Sequence, residues 1–228
     1  MTATLPPHSD HPLLNVGGIV LAGGRSLRMG RPKAELAFGN ETVLARIVRI
    51  VASAVAPVVV VGQAHQQRPD LPEEVLFVTD EQPHQGPLAG LITGLELLEN
   101  RVDAAFVTGC DIPLLSREVI ALLIDRMNEN AALTGSTNES DSEIVAVEEG
   151  SFWQPLLAVY RCSTLRQARI LYEAGERSLQ QLLRACHTSR VDPEQLRSVD
   201  PDLNCLKGMN NESEYRHLLT LAGQFDRT

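Results

Sequence analysis

Short apolar runs alternate with longer amphipathic stretches along the first half of the chain. Four aliphatic runs are typical of buried strands, at residues 18–22, 58–61, 75–79 and 104–108. Helical spacing of apolar positions fills the stretches between them, at 43–55, 86–99 and 117–127. Thr42 and Ser116 precede two of these helices and are suited to cap them. This alternation predicts an α/β domain of three layers, a mostly parallel sheet with helices on both faces.

The second half of the chain is less regular. Two strands that can pair with each other are predicted at 143–147 and 155–160, and helices at 163–172, 179–185 and 212–222. The first fifteen residues hold three prolines and two histidines and predict a flexible N-terminal tail, 1–15. A chain of 228 residues with no repeat or linker then predicts one domain over 16–228.

The composition narrows the class of protein. Hydrophobic residues make up 43% of the chain, but aromatic residues only 4%, so the core must be aliphatic. The net charge of −9 argues against nucleic-acid and anionic-membrane partners, which require a basic surface. The cysteines lack zinc-site or redox spacing and predict buried thiols, at positions 110, 162, 186 and 205. With no leader-like segment at the N-terminus, we expect a cytoplasmic protein.

Polar residues follow three of the predicted strands. A glycine-rich, cationic loop follows the first strand, Asp80 ends the third, and Asp111 follows the fourth. The carboxyl ends of parallel strands share one edge of a sheet, and open α/β sheets bind their ligands there. The sequence therefore predicts a ligand site assembled from three distant segments.

The loop after the first strand has the composition of a phosphate site. It reads Leu-Ala-Gly-Gly-Arg-Ser-Leu-Arg-Met-Gly-Arg-Pro-Lys over residues 21–33, and its four cations are Arg25, Arg28, Arg31 and Lys33. Glycines let backbone N–H groups turn toward an anion, and arginine and lysine side chains bind phosphate oxygens. Neither G-x-x-x-x-G-K-[S/T] nor G-x-G-x-x-G occurs, so the loop predicts a triphosphate site of another type.

This loop resembles the L-A-G-G-x-S-x-R-M-G-x-x-K signature of the molybdenum cofactor nucleotidyltransferases, above all that of the guanylyltransferases. The resemblance covers about residues 18–115 and implies a Rossmann-like nucleotidyltransferase fold of the GT-A type. It assigns nucleotide binding to Leu21, Ala22 and Gly23 at the guanine base, to Gly24, and to Arg28 and Lys33 at the triphosphate. Pro32 stands where guanylyltransferases usually have Asp and favours CTP, whereas Gly24 favours GTP.

The same resemblance implies roles for Asp111 and Asp80. A carboxylate at a strand end, such as Asp111 before Pro113, can hold Mg²⁺ or simply serve a turn. The Cys110-Asp111 pair resembles the metal-binding segment of the guanylyltransferases, which implies that Asp111 binds the metal and the nucleotide phosphates. Asp80 matches an aspartate that contacts the nucleoside, and the Gly-Pro-Leu-Ala-Gly segment from Gly86 matches a loop that shapes the nucleotide pocket.

Matches in the second half concern the acceptor side. Asn210 matches the second asparagine of the family's N-x-N-T-P-E-E segment, although Asn210 or Asn211 can equally cap the last helix. Gln154-Pro155 resembles a His-Pro pair of the relatives, and residues 175–178 resemble a stretch near the pterin or simply connect two helices. The resemblance thus divides the domain into a nucleotide-binding half, 16–115, and an acceptor-binding half, 116–228.

The implied reaction is an Mg²⁺-dependent transfer of GMP from GTP to the terminal phosphate of molybdopterin, which releases pyrophosphate. Arg28, Lys33 and Asp111 are the implied catalytic residues, and transient cofactor-delivery proteins are the implied protein partners. Three alternatives stay open: a CTP-dependent molybdopterin cytidylyltransferase, another small-molecule nucleotidyltransferase, and a non-catalytic nucleotide-binding protein that escorts the cofactor.

Overall fold

The computed structural model describes residues 13–23, 32–63, 66–79, 86–134 and 142–225. Nine strands lie in these residues: β1 (Val16–Leu21), β2 (Ala37–Phe38), β3 (Glu41–Thr42), β4 (Val58–Gly62), β5 (Leu76–Thr79), β6 (Ala104–Gly109), β7 (Ile144–Glu149), β8 (Phe152–Arg161) and β9 (Thr188–Val191). The α-helices are α1 (Val43–Ala52), α2 (Gly86–Leu98), α3 (Arg117–Thr134), α4 (Thr164–Glu173), α5 (Leu179–Ala185), α6 (Pro193–Leu196) and α7 (Glu212–Phe225).

Seven of the strands form one mostly parallel sheet, as the sequence predicts. Its order is β5-β4-β1-β6-β8-β7-β9, and β2 and β3 form a separate small hairpin. The pairs β5–β4, β4–β1, β1–β6 and β7–β9 are parallel, whereas β8 is antiparallel to both β6 and β7. The amino-terminal part of β8 therefore lies at the same edge of the sheet as the carboxyl ends of the parallel strands.

Helices cover both faces of the sheet, which confirms the three-layer prediction. We call the core beneath α1, α3 and α7 the first core and the core beneath α2, α4 and α5 the second core. The caps are those expected, because the Thr42 hydroxyl accepts from the Ala45 N–H at 3.1 Å and Ser116 accepts from Val119 at 3.3 Å. Among the described helices no segment is long and apolar enough to cross a membrane.

Some elements differ from the predictions. α3 continues to Thr134 rather than ending near Met127. β9 was not predicted, because it has only four residues and three of them are polar. Residues 1–12 of the predicted tail lie outside the described part, and Asn15 is bonded to Asp103 and Arg101.

Two of the four cysteines are less buried than predicted. Cys110 and Cys205 are buried, but Cys162 and Cys186 are only half-buried, and all four are free thiols. Burial raises the pKa of the Cys162 thiol to about 11 and that of Cys186 to about 12, with smaller contributions from neighbouring carboxylates. The thiols are therefore protonated at neutral pH.

Candidate functional site

The carboxyl ends of the parallel strands meet as expected. Leu21, at the end of β1, pairs with Val61 on one side and with Gly109 on the other. The chain continues past Leu21 with Ala22, whose N–H donates to the Val61 carbonyl at 2.9 Å. Ala22 is buried and Gly23 is exposed. The chain thus leaves β1 at Ala22 and Gly23, between the ends of β4 and β6.

Asp111 follows β6, and its carboxylate folds back over the strand. A Cβ at Gly109 would lie 2.8 Å from Asp111 Oδ1, so only glycine leaves room for this arrangement. The backbone carbonyl of Asp111 accepts from the Met209 N–H at 2.7 Å. Asp111 Oδ1 is buried and has no hydrogen-bond partner among the described residues. A buried carboxylate oxygen without a donor is suited to a cation.

Lys33 contacts the segment that precedes α7. It begins the short 3₁₀ helix Lys33–Glu35, and its Nζ donates to Asn210 Oδ1 at 3.1 Å. Burial and then the Asp111 charge raise the pKa of the Cys110 thiol to about 12, while the Lys33 charge opposes them. The Lys33 ammonium is therefore close enough to the Cys110-Asp111 turn to affect its electrostatics.

The two asparagines before α7 have separate tasks. Asn211 caps the helix, because its Oδ1 accepts from the Glu214 N–H at 2.9 Å. The Glu214 carboxylate in turn accepts a hydrogen bond from the Asn210 N–H at 2.6 Å. The Asn210 side chain is left to accept from Lys33. Asn211 thus caps α7, whereas the Asn210 side chain binds Lys33 in the segment after β1.

The start of α2 lies against residues 175–178 rather than against open space. Gly86 has φ +76°, and a Cβ there would lie 2.9 Å from both the Cβ and the carbonyl oxygen of Arg177. The same carbonyl accepts from the Leu88 N–H at 3.3 Å. A Cβ at Gly90 would lie 3.2 Å from Leu21. Protein atoms thus lie directly beside both glycines.

The loop at 175–178 is held by its own residues. The Arg177 guanidinium lies 4.0 Å from the centre of the Tyr172 ring and donates to the carbonyls of Tyr172 and Glu176. The Glu176 carboxylate accepts from the N–H groups of Arg177 and Ser178, which lowers its pKa. This loop connects α4 to α5 and also fixes the start of α2.

The comparisons with known proteins decide the family. Residues 18–191 match the MobA-like NTP transferase domain. The chain belongs to this family.

Relatives of this MobA-like chain share most of its length. It is 33% identical over 211 residues to a "probable molybdenum cofactor guanylyltransferase" of Chloroflexus aggregans, covering 91% of this chain and 95% of the relative. It is 32% identical over 201 residues to a protein of the same name from Bacillus mycoides, covering 87% and 92%.

Solved structures show the same fold. Molybdopterin-guanine dinucleotide biosynthesis protein A of Archaeoglobus fulgidus has a TM-score of 0.73 at 19% identity, covering 91% of this chain and 99% of its own. A Mycobacterium tuberculosis protein solved with manganese has a TM-score of 0.58 at 15% identity, covering 90% and 98%. The MobA-like chain thus has the predicted α/β nucleotidyltransferase fold.

The residues predicted to bind nucleotide are only partly described in this MobA-like chain. Six of them lie at the carboxyl edge of the sheet or in the segments around it, namely Leu21, Ala22, Gly23, Lys33, Gly86 and Asp111. Three others lie outside the described residues, namely Gly24, Arg28 and Asp80, as do Arg25 and Arg31. Gln154 donates to Glu149 at 3.4 Å and so contacts the neighbouring strand β7.

The sequence patterns did not indicate two further residues that lie at this edge of the sheet. Gln63 directly follows β4, and its Cγ lies 3.5 Å from the place of a Cβ at Gly23. The rule that ligands bind beyond the ends of parallel strands could have found it. Trp153 lies near the start of β8, and only the antiparallel direction of that strand brings it to this edge.

Proposed function

We propose that the chain transfers GMP from GTP to the terminal phosphate of molybdopterin. The names of the relatives support this reaction. The observation that carries it is that the buried Asp111 Oδ1 lacks a hydrogen-bond donor among the described residues. Asp111 directly follows β6, which pairs with β1. A carboxylate in that position suits a metal–triphosphate complex.

The donor set fits one divalent cation shared with phosphates. Asp111 would hold Mg²⁺, and no group of three His, Cys, Asp or Glu side chains suited to a metal occurs in the described ranges. Mg²⁺ is commonly held by one or two carboxylates together with substrate phosphates and water. When bound, it would neutralise charge that develops on the phosphates. The manganese in the Mycobacterium tuberculosis structure also supports a divalent ion.

The side chains of the site position the substrates and carry compensating charge. Lys33 and Arg28 bind the β- and γ-phosphates, and Leu21, Ala22 and Gly23 lie against the base. Gly24 also binds the nucleotide, and Asp80 and Gly86 belong to the nucleoside pocket. An oxygen of the acceptor phosphate forms a bond to the α-phosphorus, while the bond from that phosphorus to the bridging oxygen breaks and pyrophosphate leaves with the electron pair. The acceptor oxyanion needs no general base, so positioning and electrostatics supply the rate enhancement.

Pro32, which departs from the family's motif, is compatible with this role. It has φ −59° and ψ 128°, and its carbonyl accepts from the Glu35 N–H at 3.1 Å, closing the turn that begins with Lys33. Proline fixes φ close to this value, so it favours the turn from which the Lys33 side chain extends. Pro32 is thus compatible with the role of Lys33, and the names of the relatives support GTP over CTP.

The experiment measures pyrophosphate release by the purified protein with molybdopterin and Mg²⁺, using GTP and CTP in parallel. Release with GTP alone is expected. Asp111→Asn should lower the rate at least about a hundredfold while the protein stays folded. Release with CTP alone would make the protein a cytidylyltransferase. GTP binding without release by the wild type would favour an escort protein, and undiminished turnover in Asp111→Asn would disprove its metal role.

We also propose a cytoplasmic location and transient contact with cofactor-delivery proteins. Four unpaired thiols support a reducing compartment.

A further inference from the structure

The antiparallel strand β8 brings an aromatic side chain to the ligand edge. Phe152 and Trp153 begin this strand, and Trp153 pairs with Glu148 of β7. The register jumps between Ala146, which pairs with Ala158, and Val147, which pairs with Gln154. Residues 155–157 therefore bulge out of the β7 ladder. Without this bulge Trp153 would lie further beyond the carboxyl end of β6. The bulge therefore places Trp153 closer to that end.

Trp153 shares a face of the sheet with the Asp111 carboxylate. Trp153 and Leu156 both pack against the second core. A Cβ at Gly109 would lie 3.0 Å from Leu156 Cδ1 and 2.8 Å from Asp111 Oδ1. Leu156, which lies in the same strand as Trp153, and the Asp111 carboxylate are thus both beside Gly109.

The backbone of Trp153 is fixed, and its side chain is only partly covered. Gln180 Nε2 donates to the Trp153 carbonyl at 2.7 Å, which ties β8 to α5. The indole is partly exposed. It belongs to the only tryptophan in a chain with 4% aromatic residues. A partly exposed indole on a fixed backbone offers a flat apolar surface at little conformational cost.

The two substrates must reach Asp111 from different sides. Lys33 and Gly23 belong to the segment that follows β1, and Gln63 follows β4, on one side of β6. Strand β8 lies on the other side of β6. If the nucleotide occupies the β1–β4 side, the second substrate approaches over β8, where Trp153 stands.

We propose that the Trp153 indole stacks against the planar pyrimidine ring of the acceptor's pterin and so selects a pterin. This inference rests on the proposed function, because that function supplies an acceptor with such a ring. The phosphate of the acceptor then lies toward Asp111 and the ring toward β8. Trp153 is a specificity residue in this arrangement, since it touches the acceptor but not the reacting atoms.

The first test uses the fact that the chain has a single tryptophan. Its emission is followed in the wild-type protein during titration with molybdopterin, with a simple pterin, with MgGTP and with inorganic phosphate. Quenching that saturates with molybdopterin and with the simple pterin, but not with inorganic phosphate or MgGTP, is expected. Absence of quenching by molybdopterin while turnover proceeds would overturn the inference.

The second test separates the two substrates kinetically. Trp153→Leu should raise the KM for molybdopterin about tenfold, leave the KM for GTP unchanged, and be partly rescued by Trp153→Phe. Phe152→Leu is the matched control, because its side chain is 73% exposed and adjoins Trp153 in the chain. An unchanged acceptor KM in Trp153→Leu would overturn the stacking role.

Failure of the inference and failure of the proposed function give different results. Wild-type turnover with neither quenching nor a KM effect would reject Trp153 alone. Quenching by the simple pterin without wild-type turnover would reject the proposed reaction and keep the ring site. If Trp153→Leu does not fold, the wild-type titration and Trp153→Phe still decide the question.

Discussion

The Lys33 ammonium donates a hydrogen bond to the side-chain oxygen of Asn210 at 3.1 Å, although 177 positions separate the two residues in the chain. This bond joins the segment after β1 to the segment before α7. The adjacent Met209 N–H bonds to the Asp111 carbonyl at 2.7 Å. Lys33 and Asp111 thus both bond to residues 209–210.

Replacing Asn210 should harm catalysis more than stability. Asn210→Ala removes the acceptor that orients Lys33. Because this hydrogen bond is exposed to solvent, it is worth only about 1 kcal/mol, so kcat/KM for GTP should fall about fivefold. Asn211→Ala is the matched control, because it removes the α7 cap and should cost about 1 kcal/mol of unfolding free energy with little kinetic effect. Steady-state kinetics and urea unfolding measure both, and identical behaviour of the two variants would contradict the division of tasks.

Replacing Gly23 should affect nucleotide binding alone. A Cβ there meets Gln63 Cγ at 3.5 Å, which is an ordinary contact, so Gly23→Ala should fold with its stability changed by less than about 0.5 kcal/mol. A guanine base lying against this backbone would be pushed away, and we expect the KM for GTP to rise about tenfold. Gly223→Ala, with nothing within 4 Å of its added Cβ, serves as the control. An unchanged KM in Gly23→Ala would place the base elsewhere.

Gly86 should be more sensitive to substitution than another glycine with positive φ. Gly86 and Gly39 have φ of +76° and +67°, but only at Gly86 does an added Cβ meet protein atoms, those of Arg177 at 2.9 Å. Gly39→Ala should therefore cost only the backbone strain, about 1 kcal/mol. Gly86→Ala should cost about 2 kcal/mol more, since Arg177 must shift as well. Urea unfolding compares them, and equal losses would show that α2 and residues 175–178 adapt freely.

The Cys186 thiol should make stability depend on pH in the alkaline range. Its folded pKa of about 12 lies above the ordinary value of 9.0, because burial and then Glu143 disfavour the thiolate. The folded state therefore retains the proton longer than the unfolded state, and the contribution to stability is present below pH 9 and is lost as the pH rises toward 12. Cys186→Ala should lose stability less steeply over this window. Unfolding curves at several pH values test this, and parallel slopes would contradict it.

Local features of the chain were predictable where one segment determines them. Thr42 and Ser116 cap helices because a hydroxyl just before an apolar-periodic stretch meets free N–H groups. Asp111 could be placed at the sheet edge because an aliphatic strand precedes it.

Features that depend on pairing between distant segments were not predictable in this way. Nothing in the sequence around Gly86 shows that Arg177 will occupy the space beside it. The contact between Lys33 and Asn210 follows from the path of residues 192–210, which includes the unpredicted α6. The jump in register on β8 likewise depends on two neighbouring strands, so the place of Trp153 could not be read from its own segment.

The bond between Met209 and the Asp111 backbone also bears on when a newly made molecule becomes active. During synthesis β1, β4, β5 and β6 leave the ribosome long before residue 209 does, so the parallel strands can assemble while the site still lacks the residues that hold Lys33 and Asp111. Contacts between residues far apart in sequence also form slowly. Activity is therefore acquired last, and a chain released a few dozen residues early would retain a sheet but no competent catalytic centre.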